Sequence, residues 1–249
     1  MKKIYIENIE EGGVKEYKMK KKNSQNTSVI IRTRNEERWI GHAIQSVLDN
    51  LKKPEIIIVD NFSNDETLNI VKSFIADPML QNENKGKTKY TNIKIYQLKD
   101  YSPGKFLNFG IKKAKFNNVM VMSAHCILKK INIEQTIANL KKYVAVFGNQ
   151  IPVWKGKKIT KRYIWSHFSN VKTINMYSKM EKRYFFHNAA AFFNKSFMLK
   201  NRFDEYLHSK EDRYWANKIV KKRKKYLYDP EFCVEHQYTD AGNTWKGIG

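Results

Sequence analysis

Several short stretches carry side chains able to do more than pack. Asp60 closes the apolar run Glu55-Ile56-Ile57-Ile58-Val59-Asp60, and a carboxylate at the end of a buried strand can accept hydrogen bonds from a ligand. Thr33-Arg34-Asn35-Glu36 and Ser63-Asn64-Asp65-Glu66 both have the spacing of a capping box, a hydroxyl residue followed three positions later by Glu. Each reads as a plain helix start or as one that also attracts phosphate. Ser123-Ala124-His125-Cys126 follows another apolar run. Glu211-Asp212 precedes the apolar positions Trp215 and Ile219, so the pair belongs at a helix N-terminus, where acids complement the helix dipole.

A β–α alternation must position these stretches. Ser28 to Arg32 is short and β-branched, as in a buried strand. Glu36 to Leu51 reads as a helix, because Trp39, Ile40, Ala43, Ile44, Val47, Leu48 and Leu51 recur at three-to-four spacing. Strands follow at 55–60, 93–96, 119–123 and 144–148, with helices at 65–76, 103–114 and 133–142. Pro103 sits in the first turn of its helix, and Asn82 to Lys89 is a polar loop. This order implies an α/β fold with an open, mostly parallel central sheet flanked by helices. Ligands bind such sheets at the carboxyl ends of the strands, where residues 33–36, 60–65 and 123–126 fall. After about residue 150 the pattern weakens. A strand within 185–193 and a helix over 210–224 are the remaining expectations.

The 249 residues are enough for a large core, and 41% apolar with 13% aromatic content excludes a disordered chain. Two cysteines exclude a disulfide scaffold and a four-cysteine zinc module; Cys126 and Cys233 read as small buried hydrophobes. No run approaches the roughly 20 apolar residues of a membrane span, and the N-terminus lacks a signal-peptide core. The expectation is a cytoplasmic protein, in solution or peripheral at the inner face of the cell membrane. A net charge of +23 favours an anionic partner, although solvated lysines need none. Basic clusters lie at 18–22, 155–162 and 221–225, with no RNA-binding signature around them.

The motifs taken in order resemble family 2 glycosyltransferases of the inverting, GT-A-fold type. Ser28 to Glu36 is similar to the family's first strand and its Arg-Asn-Glu loop, and Ile57 to Thr67 to its V-D-x-x-S-x-D-x-T segment. The likeness continues through Pro103-Gly104-Lys105-x-x-Asn108-x-Gly110, Ser123-Ala124-His125-Cys126 and Glu211-Asp212-Arg213-Tyr214-Trp215 to Val234-Glu235-His236. The resemblance implies a bacterial GT-A protein. It would have a basic extension at 1–27, a nucleotide-sugar-binding half at 28–150 and an acceptor-side half at 151–249. Thr33, Arg34, Asn35 and Glu36 would line the nucleotide pocket. Asp60 would accept from the base, with Asn61 and Ser63 nearby, Lys105 would meet the diphosphate, and Ser123 would lie at the donor. Asp212 would be the general base, beside Glu211. His187 and Asn188, before three alanines, would face a sugar, and Trp154, Trp165 and Trp245 could stack on one. The implied partners are a nucleotide-sugar donor, a surface-glycan or lipid-linked acceptor and an anionic membrane surface, with no specific nucleic acid.

One departure bears on the cofactor. Where most relatives carry Asp-x-Asp, this chain has Ser123-Ala124-His125. Imidazole suits Mn²⁺ better than the hard Mg²⁺. Three readings stand: His125 and His236 hold a divalent metal, His125 and lysines meet the phosphates without one, or the site is inactive. Two rival functions also stand, a nucleotidyltransferase on a related sheet and a basic nucleic-acid-binding module. The first would want a glycine-rich loop after strand one, which residues 33–36 lack.

Overall fold

The computed structural model describes residues 26–76 and 92–240. The Asn82–Lys89 loop, the cluster at 18–22, Trp245 and all of the expected 1–27 extension except Asn26 and Thr27 lie outside them. In chain order the elements that matter are β1 (Thr27–Thr33), α1 (Ile40–Asn50), β2 (Glu55–Asp60), α2 (Thr67–Ala76), β3 (Ile93–Gln97) and α3 (Pro103–Lys113). Then come β4 (Asn118–Ser123), β5 (Cys126–Lys130), α4 (Ile133–Asn139), β6 (Ala145–Trp154), β7 (Lys157–Lys158), β8 (Thr173–Ile174), β9 (Tyr177–Ser178) and β10 (Arg183–Tyr184). β11 (Ala190–Asn194), α5 (Lys195–Lys200), α6 (Glu211–Lys221) and β12 (Leu227–Gln237) complete the series.

One sheet runs in the order β3-β2-β1-β4-β11-β6-β12-β5, with β7 on β6 and β8 on β12. β3, β2, β1 and β4 are mutually parallel, and so are β6 and β12. β11 is antiparallel to both its neighbours and β5 to β12. The expected α/β architecture is therefore present.

The alternation of side chains across a strand divides the core. Ile30, Ile57, Val59 and Val121 join Phe106, Leu107 and Ile111 of α3 and Trp215, Ala216 and Ile219 of α6 on one face. Val29, Ile31, Ile56, Ile58 and Met120 join Ile40, Ala43, Ile44 and Val47 of α1 on the other. α3 sits against β1 closely enough that a Cβ on Gly110 would stand 2.5 Å from Ile30 Cγ2.

The differences from expectation have local causes. α1 begins at Ile40 rather than Glu36, where the backbone N–H groups of Asn35, Glu36 and Glu37 are spent on a neighbouring loop. β12 was not legible because its register shifts between Asp229 and Cys233, across Pro230, so its alternation is broken. β11 starts at Ala190, and Phe185 and Phe186 before it are core residues outside the ladder.

Candidate active site

Parallel pairing brings the strand tips level. Thr33 lies opposite Asp60, Arg32 opposite Ser123, and Asp60 opposite Gln97. The next strand arrives through Ser123 N–H donating to Ala189 O at 3.0 Å. Neighbouring strands stand about 4.8 Å apart, so these residues form one continuous edge.

Two loops build the rim of that edge by capping each other. Asn35 N–H donates to Ser63 Oγ at 2.9 Å, and Asn64 N–H returns a bond to Asn35 Oδ1 at 3.0 Å. Glu36 N–H donates to Thr67 Oγ1 at 2.7 Å, Glu37 N–H to Asp65 Oδ2 at 3.1 Å, and Glu66 N–H to Glu37 Oε2 at 3.0 Å. The two expected capping boxes therefore do not close within their own helices. The same residue types satisfy orphan N–H groups across the gap between loops.

Asp60 is fully buried and organises the second loop. Its carboxylate accepts from Ser63 Oγ at 2.5 Å, Ser63 N at 3.0 Å and Gln97 Nε2 at 3.2 Å. Asn61 ties the tips of β1 and β3, donating its N–H to Thr33 O at 3.0 Å and its amide to Leu98 O at 3.0 Å. Thr33 Oγ1 is buried with no hydrogen-bond partner among the described residues. Arg34 is exposed.

Histidines gather at the tips of β4, β5 and β12. His125 Nδ1 is 2.7 Å from Glu36 Oε1, and His236 Nδ1 is 2.8 Å from Gln150 Oε1. The two rings lie 4.9 Å apart, His187 stands 6.1 Å from His236, and Trp165 meets His236 edge-on at 5.1 Å. Burial, then His125, His187 and Arg32, holds the His236 pKa well below its usual 6.5. Burial, then Arg213, Arg32 and His125, does the same for His187. Both imidazoles are neutral at neutral pH.

Among the described residues no three His, Cys, Asp or Glu side chains form a metal cluster. His125 and His236, with rings 4.9 Å apart, are the imidazoles that would hold a divalent ion here. His125 and His236 each turn Nδ1 to an oxygen, the arrangement that orients Nε2 for coordination. Such a set favours Mn²⁺ over Mg²⁺.

The acid pair opens onto the same edge. Asn188, just before β11, donates its amide to Glu211 Oε1 at 2.7 Å and its N–H to Asp212 Oδ2 at 3.3 Å. Arg32 Nη1 lies 3.8 Å from Glu211 Oε1 and donates to Tyr101 Oη at 3.1 Å. Asp212 Oδ2 accepts from Arg213 Nη1 at 2.7 Å, and its Oδ1 accepts from Arg213 N at 2.8 Å. Arg213 is itself wedged over Phe185, 4.4 Å from the ring, with Nε 3.7 Å from Glu181 Oε2. Burial, then Asp212, pushes the Glu211 carboxyl up from its usual 4.5, against the pull of Arg32 and Asn188.

The edge thus gathers Thr33, Glu36, Asp60, Ser63, Ser123, His125, Asn188, Glu211, Asp212 and His236. Lys105 reaches the segment that follows β3. Its Nζ donates to Lys99 O at 3.1 Å and lies 3.7 Å from Asp100, in a cleft between α3 and α5 lined by Leu98, Phe109 and Arg202. The rest of its motif is scaffold. Asn108 exchanges bonds with the Phe203 backbone at 2.9 and 3.1 Å, and a Cβ on Gly104 would strike Asp204 O. Trp165 is buried, and Trp154 is half exposed beneath Lys155. Arg32, Tyr101, Gln97 and Gln150 were not anticipated. The signal for Arg32 was a charge inside a strand whose other residues are Thr, Ser, Val and Ile.

The model of the family "Glycosyl transferase family 2" matches residues 28–207. The chain belongs to that family. Solved structures agree on the fold. Staphylococcus aureus TarS (residues 1–349), in complex with UDP-GlcNAc, aligns with a TM-score of 0.64 at 18% identity over 89% of this chain and 61% of that one. GalNAc-T7 with UDP, GalNAc and Mn²⁺ aligns at 0.62 and 16% identity over 89% of this chain and 45% of that one. The mannosyltransferase PcManGT of Pyrobaculum calidifontis, with GDP-Man and Mn²⁺, aligns at 0.60 and 16% identity over 87% and 58%. The glycosyltransferase described here therefore spans less than two thirds of each of these structures. No curated protein sequence matches it.

Proposed function

We propose that this glycosyltransferase moves a sugar from a nucleoside-diphosphate donor to a hydroxyl of a surface-glycan or lipid-linked acceptor, with inversion. The observation that carries the reading is the bridge at Arg32 and Asn188. It opens Glu211 and Asp212 onto the edge that holds Thr33, Asp60 and His125. In the neighbouring structures this fold holds UDP-GlcNAc, UDP or GDP-Man.

The division of labour follows the halves of the chain. Residues 28–150 supply the donor side. Thr33 Oγ1, the loops of Arg34, Asn35, Asn61 and Ser63, and the Asp60 turn frame the nucleotide, and Ser123 and His125 lie at its diphosphate. Residues 151–249 supply the acids and the acceptor side, with His187 and Asn188 between the two. The acceptor oxygen attacks the anomeric carbon, the bond from that carbon to the diphosphate oxygen breaks, and the electron pair leaves with the nucleoside diphosphate. Asp212 takes the acceptor's proton. Glu211, anchored by Asn188 and Arg32, fixes the turn that aims it. A divalent ion, when held by His125 and His236, would neutralise charge on the leaving diphosphate.

The test is a thermal-shift panel of UDP, GDP, dTDP and CMP, each with Mn²⁺, Mg²⁺ or EDTA. A nucleotide at 100 times its Kd adds about 2.7 kcal/mol of apparent stability. Asp212→Asn is expected to keep that shift and to lose transfer by at least about 100-fold, the usual scale of general-base catalysis. Turnover retained by Asp212→Asn removes Asp212 as the base.

A further inference from the structure

Residues 171–183 form an excursion in which exposed apolar side chains cluster. Twelve large hydrophobic side chains are exposed among the described residues, and four of them, Val171, Ile174, Tyr177 and Met180, fall within ten consecutive positions. The charges interleaved with them are Lys172, Lys179, Lys182 and Arg183; the first three are exposed. The one acid of the excursion, Glu181, is turned inward, with its carboxylate 3.7 Å from the buried Arg213 Nε. Its outer surface is thus apolar and cationic without a counter-charge of its own. Among the described residues, Lys172 is the one exposed cation of the excursion that reaches an acid, Asp229 at 3.2 Å.

The excursion is anchored to β12 and α6, and reaches the acid pair through Arg213. β8 pairs with β12, Tyr184 N–H donates to Asn217 Oδ1 on α6 at 3.2 Å, and Tyr177 packs edge-on against Tyr184 at 5.4 Å. Arg213, which Glu181 faces, is also the residue that holds Asp212.

We infer that the 171–183 excursion docks on an anionic phospholipid surface, so that the acceptor hydroxyl reaches Asp212 from the membrane side. The inference rests on the transfer reading above and narrows its acceptor to a lipid-linked one. Mixed aromatic, aliphatic and lysine side chains suit the headgroup boundary, where apolar groups enter the interface and cations meet anionic lipid. No helix among the described residues is long and apolar enough to cross a membrane, so this contact would be one of surface docking.

Sedimentation with phosphatidylcholine vesicles, with and without phosphatidylglycerol, tests it. The whole chain is expected to bind only the vesicles that contain phosphatidylglycerol. Lys179→Gln with Lys182→Gln is expected to weaken that binding about 30-fold, from two cations near an anionic surface. Tyr177→Ser with Met180→Ser is expected to weaken it at least about tenfold. Leu199→Ser with Lys200→Gln, an exposed apolar–basic pair on α5, is the control and should bind as the parent does. All variants should keep the nucleotide-induced thermal shift of the parent. Absence of a shift in the parent counts against the donor reading and leaves the vesicle result standing. Equal partitioning of the excursion variants and the parent overturns the inference. So does an equal loss in the control. Binding to a short duplex DNA that the same substitutions weaken equally would assign the surface to nucleic acid instead.

Discussion

Burial moves the pKa values of Glu211 and His187 in opposite directions. The Glu211 carboxyl is raised, so the folded chain holds that proton more tightly than the unfolded chain does. Its contribution to stability is full below about 4.5 and declines as pH climbs through the raised value. His187 is lowered, so its contribution is present above 6.5 and is lost as pH falls towards the depressed value. Glu211→Gln keeps the amide-to-oxygen bond from Asn188 and deletes the titration. Its Tm relative to the parent is therefore expected to rise as pH climbs above 4.5 and to level off once the raised pKa is passed. A series of melts at fixed ionic strength measures this, and a constant difference would show that Glu211 ionises in the fold without cost. The Asp212–Arg213 ion pair should stay intact in that variant, since the Glu211 carboxylate meets Asn188 and Arg32 instead.

At the scale of elements, the far edge of the sheet is fixed by a buried carboxylate. Glu55 opens β2 and is fully buried. Its Oε2 accepts from Ser28 Oγ at 2.5 Å and Lys115 N at 2.6 Å, and its Oε1 from Lys94 Nζ at 2.8 Å. It thereby binds β1, β3 and the end of α3 to one side chain. Burial alone would raise its pKa, but the bonds from Lys94, Ser28 and Lys115 outweigh it and hold the value below 4.5. Its stability is present above 4.5 and lost as pH falls. Glu55→Gln is expected to cost about 2–3 kcal/mol at pH 7, the range for hydrogen bonds to a charged group. The urea midpoint measures it, and the deficit should shrink in acid. Glu55 was readable only as the start of a strand. That is typical of what the chain disclosed about itself. Continuous runs such as 56–59 and the three-to-four spacing of α1 are local, and they announced the first half of the sheet and its order. Strands of two residues, such as β7 to β10, carry no period, and the Pro230 interruption hid β12. The site was legible where residue type and spacing coincide, as at 33–36, 60–66 and 211–212. The partners were not, because Arg32 with Glu211 and His125 with Glu36 are pairings across the sheet edge that no local pattern encodes.

Over the whole molecule, charge sets a background on which those local pairs operate. With 47 basic against 24 acidic side chains, at least 23 cations have no acid to neutralise them. A compact body of that charge repels itself, whereas an unfolded chain spreads the same charges apart. Salt weakens that repulsion and also weakens the exposed ion pairs, such as Lys130–Glu231 and Lys129–Glu235. The two effects oppose, and the count decides between them. Exposed pairs are worth about 0–1 kcal/mol each, and most cations here repel rather than pair. The buried pair Arg213–Asp212 is shielded from the ions and changes little. Raising NaCl from about 10 mM to about 150 mM shortens the screening length from about 30 Å to about 8 Å. The Tm is therefore expected to rise, by about 2–4 °C for each kcal/mol of repulsion removed in a chain of this size. Melts in NaCl and KCl should agree, since screening depends on ionic strength and not on the cation. A Tm that falls with salt would mean that attraction between surface pairs outweighs the net charge. The excess of cations would then be arranged rather than merely spread, with acids placed where they neutralise most.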